Sequence, residues 1–293
     1  MAGRMFEVEE VTGRVLFRRF LELPHLLLRD EPRWSAPVVS WERARLDPNR
    51  NPFFETGDGA YFLLRRLGRP AGRITAHLAA DGDEAGWFGF YDVVDDVRGA
   101  KALVDAAGEW LAERGCTTMT GPACFTVDDE AGVLVDGFDA PGTTGRAWHP
   151  PWYADGLGAA GLERLADSAR RTWRLPAAGT TTLDPDVEVT APPLAGPYAD
   201  RRLLRRGPVG SIRAVPDLTL ARGSAWQLGR RAKRGDWEGC TVVDVDGDPS
   251  VLVPALQAAA GAAGYSWVVA PWSPAPATAP ETTHALFTRA LSP

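Results

Sequence analysis

Residues 86–139 read GWFGFYDVVDDVRGAKALVDAAGEWLAERGCTTMTGPACFTVDDEAGVLVDGFD, and this stretch decides the fold. An apolar run, GWFGFYDVV, comes first and predicts a buried strand. From Ala100 the apolar residues then fall at Leu103, Val104, Ala107, Trp110 and Leu111. That spacing of three and four is the stripe of a helix lying on a sheet. Gly115 ends the helix, and Arg114 complements the negative end of its dipole. A second apolar run follows. A helix between two short apolar runs predicts parallel strands joined by a crossover, because parallel neighbours need a connection of about that length. The remainder, TVDDEAGVLVDGFD, reads as a long acidic loop.

Working toward the N-terminus, FEVEEVT predicts a first strand, and Thr12 is placed to cap a helix carrying Val15, Leu16, Phe20 and Leu23. Pro24 falls inside that pattern and predicts a kink or an end there. A short helix is expected near 40–46, then the polar turn and aromatic anchors of DPNRNPFFE. AYFLLRRL and RPAGRITAHLAA predict two strands joined at Gly68. Working toward the C-terminus, Pro150 and Pro151 suit the first turn of a short helix with His149 near its cap, where it is a cap or, as the alternative, a base. SARRTWRLP predicts a closing strand.

The second half echoes the first. At a shift of 149 residues, positions 93–122 lie over 242–271 without a gap and share eight identities in 30. They fall at the strand end, the helix face, the helix stop and the next strand end. The echo predicts a second, reduced unit, and hence 1–176 as a first domain, 177–197 as a linker rich in Thr, Pro and Ala, and 198–293 as a second.

Composition bounds the function. The chain has 293 residues, 45% hydrophobic and 24% charged, enough for a large core. A net charge of −6 disfavours general nucleic-acid binding, although the basic runs ARRTWRLP, DRRLLRR and GRRAKR leave tRNA open. Cys116, Cys124 and Cys240 are an odd number without metal spacing, so reduced thiols, no metal and a cytoplasmic location are expected. The start is too acidic for a signal peptide. The uncharged run VLVPALQAAAGAAGYSWVVAP is broken by Pro254, Gly261 and Gly264. It predicts a buried helix and strand rather than a membrane span.

Several stretches, in a fixed order over about the first 165 residues, carry a family resemblance. They are LRDEPRWSAPV (28–38), LDPNRNPFFE (46–55), RPAGRITAHL (69–78), GWFGFYDVVDD (86–96), GPACFTVDDEAGVLVDGFDAP (121–141) and HPPWYADGLGAAGL (149–162). As a set they resemble the GNAT (Gcn5-related N-acetyltransferase) superfamily, in particular a large bacterial branch of it. The resemblance implies an α/β fold, a GNAT-like mixed sheet flanked by helices, and together with the echo it makes the second half a second, reduced GNAT-like unit. It implies an acyltransferase that moves an acyl group from acetyl-CoA or another acyl-CoA to a small-molecule amine, and it allows a homodimer. It implies a donor held along the strand and helix start, at Tyr91, Val93, Arg98, Gly99, Ala100 and Lys101.

This chain departs from the family at that place. The usual Gln or Arg, two residues, Gly, one residue, then Gly or Ala is replaced by Asp95, Asp96, Val97, Arg98, Gly99, Ala100. Carboxylates at a helix start cap it and compete with a pyrophosphate. The loop carboxylates Glu130 and Asp129 are the candidate bases toward an amine, and Tyr153 the candidate acid. The family's usual Tyr position, four before Gly161, holds Leu157, and Tyr153 lies one turn earlier. The alternative is a degenerate CoA site serving another donor, such as aminoacyl-tRNA, or the binding of a small cationic ligand alone.

Overall fold

The computed structural model describes residues 5–37, 39–79, 84–142, 146–174, 188–190, 203–207, 210–217, 239–247, 249–262, 265, 267–270 and 282–291. The first half builds β1 (Phe6–Glu10), helix α1 (Gly13–Leu28), α2 (Val39–Arg45), a 3-10 turn (Pro52–Glu55), β2 (Asp58–Arg66), β3 (Arg69–Leu78) and β4 (Ala85–Val93). Helix α3 (Val97–Ala112) then crosses to β5 (Thr118–Gly121), which runs parallel to β4 with Ala85 opposite Thr118. The central crossover is thus as the apolar stripe predicted. Its face buries Leu103, Val104, Ala107 and Leu111 at no more than 1% exposure, against Leu64, Ile74 and Val93 of the sheet.

Two local expectations are corrected. Of the kink or end expected at Pro24, the end is excluded, because helix α1 runs through Pro24 to Leu28. Buried Phe20, Leu21, Leu23 and Leu28 hold it, and that packing outweighs the lost helical hydrogen bond. Thr12 stands at the N-cap but makes no side-chain capping bond. The acidic stretch after β5 is not a loop. It forms β6 (Ala123–Cys124), β7 (Thr126–Ala131) and β8 (Val133–Asp136), with β6 and β7 paired as a small ribbon. Val133 and Leu134 are buried, so their hydrophobic burial, not the flanking carboxylates, sets the local structure.

Helix α4 (Trp152–Ala159) and the twelve-residue β9 (Glu163–Arg174) follow. Then come β10 (Glu188–Thr190), which falls in the stretch expected as linker, β11 (Leu203–Gly207), β12 (Gly210–Asp217) and β13 (Gly239–Gly247). Helix α5 (Pro249–Ala262), β14 (Trp267–Ala270) and β15 (Thr282–Ala290) complete the second half. The sheet order is β1-β2-β3-β4-β5-β15-β9-β14-β13-β12-β11-β10, with β8 on β15.

The order is nearly a palindrome of topology. In each half a meander leads to a strand, a helix and a parallel strand. The ungapped echo places β5 exactly on β14, but the strand before it is out of step. Ala85 pairs with Thr118, 33 residues on, whereas Gly239 pairs with Trp267, 28 residues on. The second connection is five residues shorter, so the strands match only with a gap. At the centre the halves exchange strands. β15 of the second half lies antiparallel to β5, with Phe287 opposite Gly121, and β9 of the first half lies antiparallel to β14, with Trp173 opposite Val268.

Candidate active site

A cavity of about 90 Å³ opens where α1, α2, β3, β4, β6 and β7 meet, walled by Trp34, Phe90 and Trp148. A bulge in β4 shapes it. Arg73 pairs with Asp92 and Thr75 with Gly89, so two residues of β4 stand against one of β3. Phe90 takes a left-handed φ of +46° there. Bulges of this kind re-aim side chains at functional sites, and a non-glycine in that region is held only by its surroundings.

The cavity floor is an ionic chain. Arg73, 4% exposed, donates from Nε to Asp92 Oδ2 at 2.6 Å, from Nη2 to Glu42 Oε1 at 3.0 Å and from Nη1 to the Phe20 carbonyl at 3.1 Å. Burial works against its charge, but Glu42 and Asp92 outweigh that and push its pKa up. Asp92 Oδ1 accepts the Tyr153 hydroxyl at 3.1 Å.

Glu130 reaches the cavity from β7 with its side chain 32% exposed, and Arg45 stands 4.0 Å away. Desolvation raises its pKa, opposed by Arg45 and reinforced by Glu42 and Asp92. Asp129 lies in the same strand, and its side chain falls outside the described residues. Tyr153 does not line the cavity. It is fully buried behind Asp92, and burial, then the Asp92 charge, push its pKa far up. Its proton serves Asp92.

Of the two roles the sequence allows His149, cap or base, the structure excludes the favoured cap. The ring caps nothing; Pro151 holds the N-cap position of α4. His149 lines the cavity, and its Nδ1 accepts the Leu134 N–H at 3.2 Å. Burial lowers its pKa to about 4, so at neutral pH the ring is neutral and carries its proton on Nε2. Glu42 and Asp92 were missed. The signal for both was Arg73 in the middle of a strand whose neighbours Ala71, Ile74 and Ala76 are core residues, since a buried guanidinium requires carboxylates somewhere in the chain.

The implied donor groove is engaged by the chain itself. Asp96 caps α3, its Oδ1 accepting the Arg98 N–H at 3.0 Å, and its carboxylate holds the Arg98 guanidinium through two further bonds. That bond lowers the Asp96 pKa. Lys101 pairs with Asp105 on the outer face. At Gly99 a Cβ would meet Leu64 at 2.9 Å, so its lack of a side chain lets the helix settle on β2. Ala100 packs beneath Gly156 of α4, Tyr91 packs edge-on against Tyr153, and the Val93 carbonyl accepts the Trp152 indole N–H at 3.0 Å. Beyond Trp87 β4 no longer pairs with β5, but the chain after β5 presses on it at Gly89, where a Cβ would lie 2.2 Å from the Ala123 carbonyl oxygen. A CoA pantetheine needs free strand amides and carbonyls, and its pyrophosphate needs free helix-start N–H groups. The arrangement here does not fit it.

No protein-family model matches the chain. It matches a tandem GNAT protein of the clavulanic acid biosynthesis pathway with a TM-score of 0.59 over 98% of this chain and 99% of that one, at 14% identity. The chain carries the GNAT fold in tandem. The exchange of β9 and β15 is the seam between its two GNAT units. Two curated proteins are similar in sequence. A bacterial ceramide synthase of Caulobacter vibrioides is 36% identical over 143 residues, 47% of this chain and 37% of its own. Protein YghO of Escherichia coli is 31% identical over 142 residues, 47% of this chain and 36% of its own. The chain thus spans little more than a third of each. Among the described residues no helix is long and apolar enough to cross a membrane, and no three His, Cys, Asp or Glu are grouped to hold a metal ion.

Proposed function

We propose that the chain transfers an acyl group to a primary amine, with the cavity of the first GNAT unit as the acceptor site. The observation that carries this is Glu130, a carboxylate desolvated beside Glu42 and Asp92 at the mouth of a small enclosed space. An amine attacks an acyl carbon only as the free base. Glu130 takes one proton from the ammonium nitrogen, its raised pKa makes it a better acceptor, and the freed lone pair becomes the nucleophile. The Arg73 chain fixes Asp92 and Glu42 so that the pocket holds its shape, and positioning supplies most of the rate. The GNAT fold and the relative named for ceramide synthesis, an amide-forming reaction, support the reading.

Acyl-CoA is the donor that GNAT kinship suggests, and no step is assigned to it, because the first unit's helix start and strand edge are occupied from within. The same occupation favours a second reading, a GNAT scaffold that serves another acyl donor or binds a cationic ligand only. The test is amide formation by the full chain from acetyl-CoA and longer acyl-CoAs with a panel of primary amines. Transfer that Glu130→Gln lowers about 10²-fold or more supports the first reading, within the usual range for a lost general base. No transfer from any donor selects the second.

A further inference from the structure

Glu42 is 5% exposed and lines the cavity from α2. Arg73 satisfies its Oε1, but its Oε2 is buried and accepts no hydrogen bond. A buried carboxylate oxygen without a donor is costly, and proteins seldom leave one so. Arg73 spends Nε on Asp92, Nη1 on the Phe20 carbonyl and Nη2 on Oε1 of Glu42, so none of its bonds reaches Oε2. The charges are also unequal: Glu42, Asp92 and Glu130 face only Arg45 and Arg73 among the charged groups lining the cavity.

We propose that Glu42 Oε2 is the fixed anchor for the primary ammonium end of the acceptor, with Glu130 as the second carboxylate on the same nitrogen. This rests on the amine-acceptor reading above and names what that acceptor must present. An ammonium brings three N–H donors and one positive charge, which meets both deficits at once. A water would supply donors but no charge. A primary ammonium carries three N–H donors where a quaternary ammonium carries none, so the end of the acceptor that meets Glu42 is a primary amine.

The test is ligand-observed NMR on the full chain with n-butylammonium chloride, no acyl donor being present. Saturation transfer to n-butylammonium, none to 1-butanol and none to tetraethylammonium is the expected pattern. Glu42→Gln keeps the shape, removes the charge and is expected to weaken binding at least tenfold. Glu42→Asp keeps a charge for Arg73 but withdraws the oxygen by one methylene, and is also expected to weaken it, so misfolding of one variant does not leave the question open. Equal binding by wild type and both variants, or no binding to folded wild type, overturns the anchor. Binding that depends on Glu42 while no donor yields amide keeps the anchor and sinks acyl transfer. Transfer without such binding does the reverse.

Discussion

Arg73→Met is the most informative perturbation of this fold. Arg73 is nearly inaccessible and holds two carboxylates, Asp92 at 2.6 Å and Glu42 at 3.0 Å, while its guanidinium lies 5.0 Å from the Phe20 ring centre. Methionine fills much of the volume but leaves two buried carboxylates unpaired. Removing one partner of a buried pair costs about 3–5 kcal/mol. For a chain of this size each kcal/mol lowers Tm by roughly 2 °C, so a fall of about 6–10 °C is expected. Calorimetry at neutral pH measures it. The triple variant Arg73→Met, Glu42→Met, Asp92→Leu removes the orphaned charges, and is expected to recover at least half the loss, because an apolar replacement of a whole ion cluster is often neutral. A loss below about 1 kcal/mol in the single variant, or a triple variant no better than the single, would refute the view that this chain is a desolvated charge network.

Three further outcomes are expected. Glu130 has a folded pKa above its ordinary 4.5, so ionising it costs stability at neutral pH; Glu130→Gln is expected to raise Tm at pH 7, with the gain vanishing as the pH falls below that value. His149 has its pKa lowered to about 4 from 6.5, so its contribution is present above pH 6.5 and is lost as acidification approaches 4; thermal melts of His149→Gln should show a flatter pH dependence across that window than wild type. Trp152→Phe removes the indole bond to the Val93 carbonyl and should cost ~0.5–1.5 kcal/mol in chemical denaturation. Acetyl-CoA affinity that is absent in wild type and also absent in Trp152→Phe would show that Trp152 alone does not close the groove.

The elements that sequence revealed are those with a period. The α3 stripe from Leu103 to Leu111 and the alternating and apolar runs of β2 to β5 read directly, because one face or both must be buried. The 126–139 stretch misled, since its carboxylates look like solvated turns while Val133 and Leu134 are quietly core. Asp96 was legible as a cap because capping is local. Glu42, Asp92 and His149 were not. Glu42 meets Arg73 across 31 positions and His149 meets Leu134 across 15, and no local pattern encodes which distant partner a polar side chain will find. The cavity exists only once α2, β4 and β7 have come together.

The exchanged strands bear on how such a gene can change. Duplication ordinarily frees one copy to decay. Here Arg289 of β15 pairs with Met119 of β5 and donates to Asp105 and to the Ala160 carbonyl, deep in the first unit, while β9 leaves the first unit to line β14 in the second. Each unit's exposed sheet edge is covered by its twin. Selection on the packing of the first unit therefore protects the second as well, because the first completes its sheet only with the strand that the second delivers.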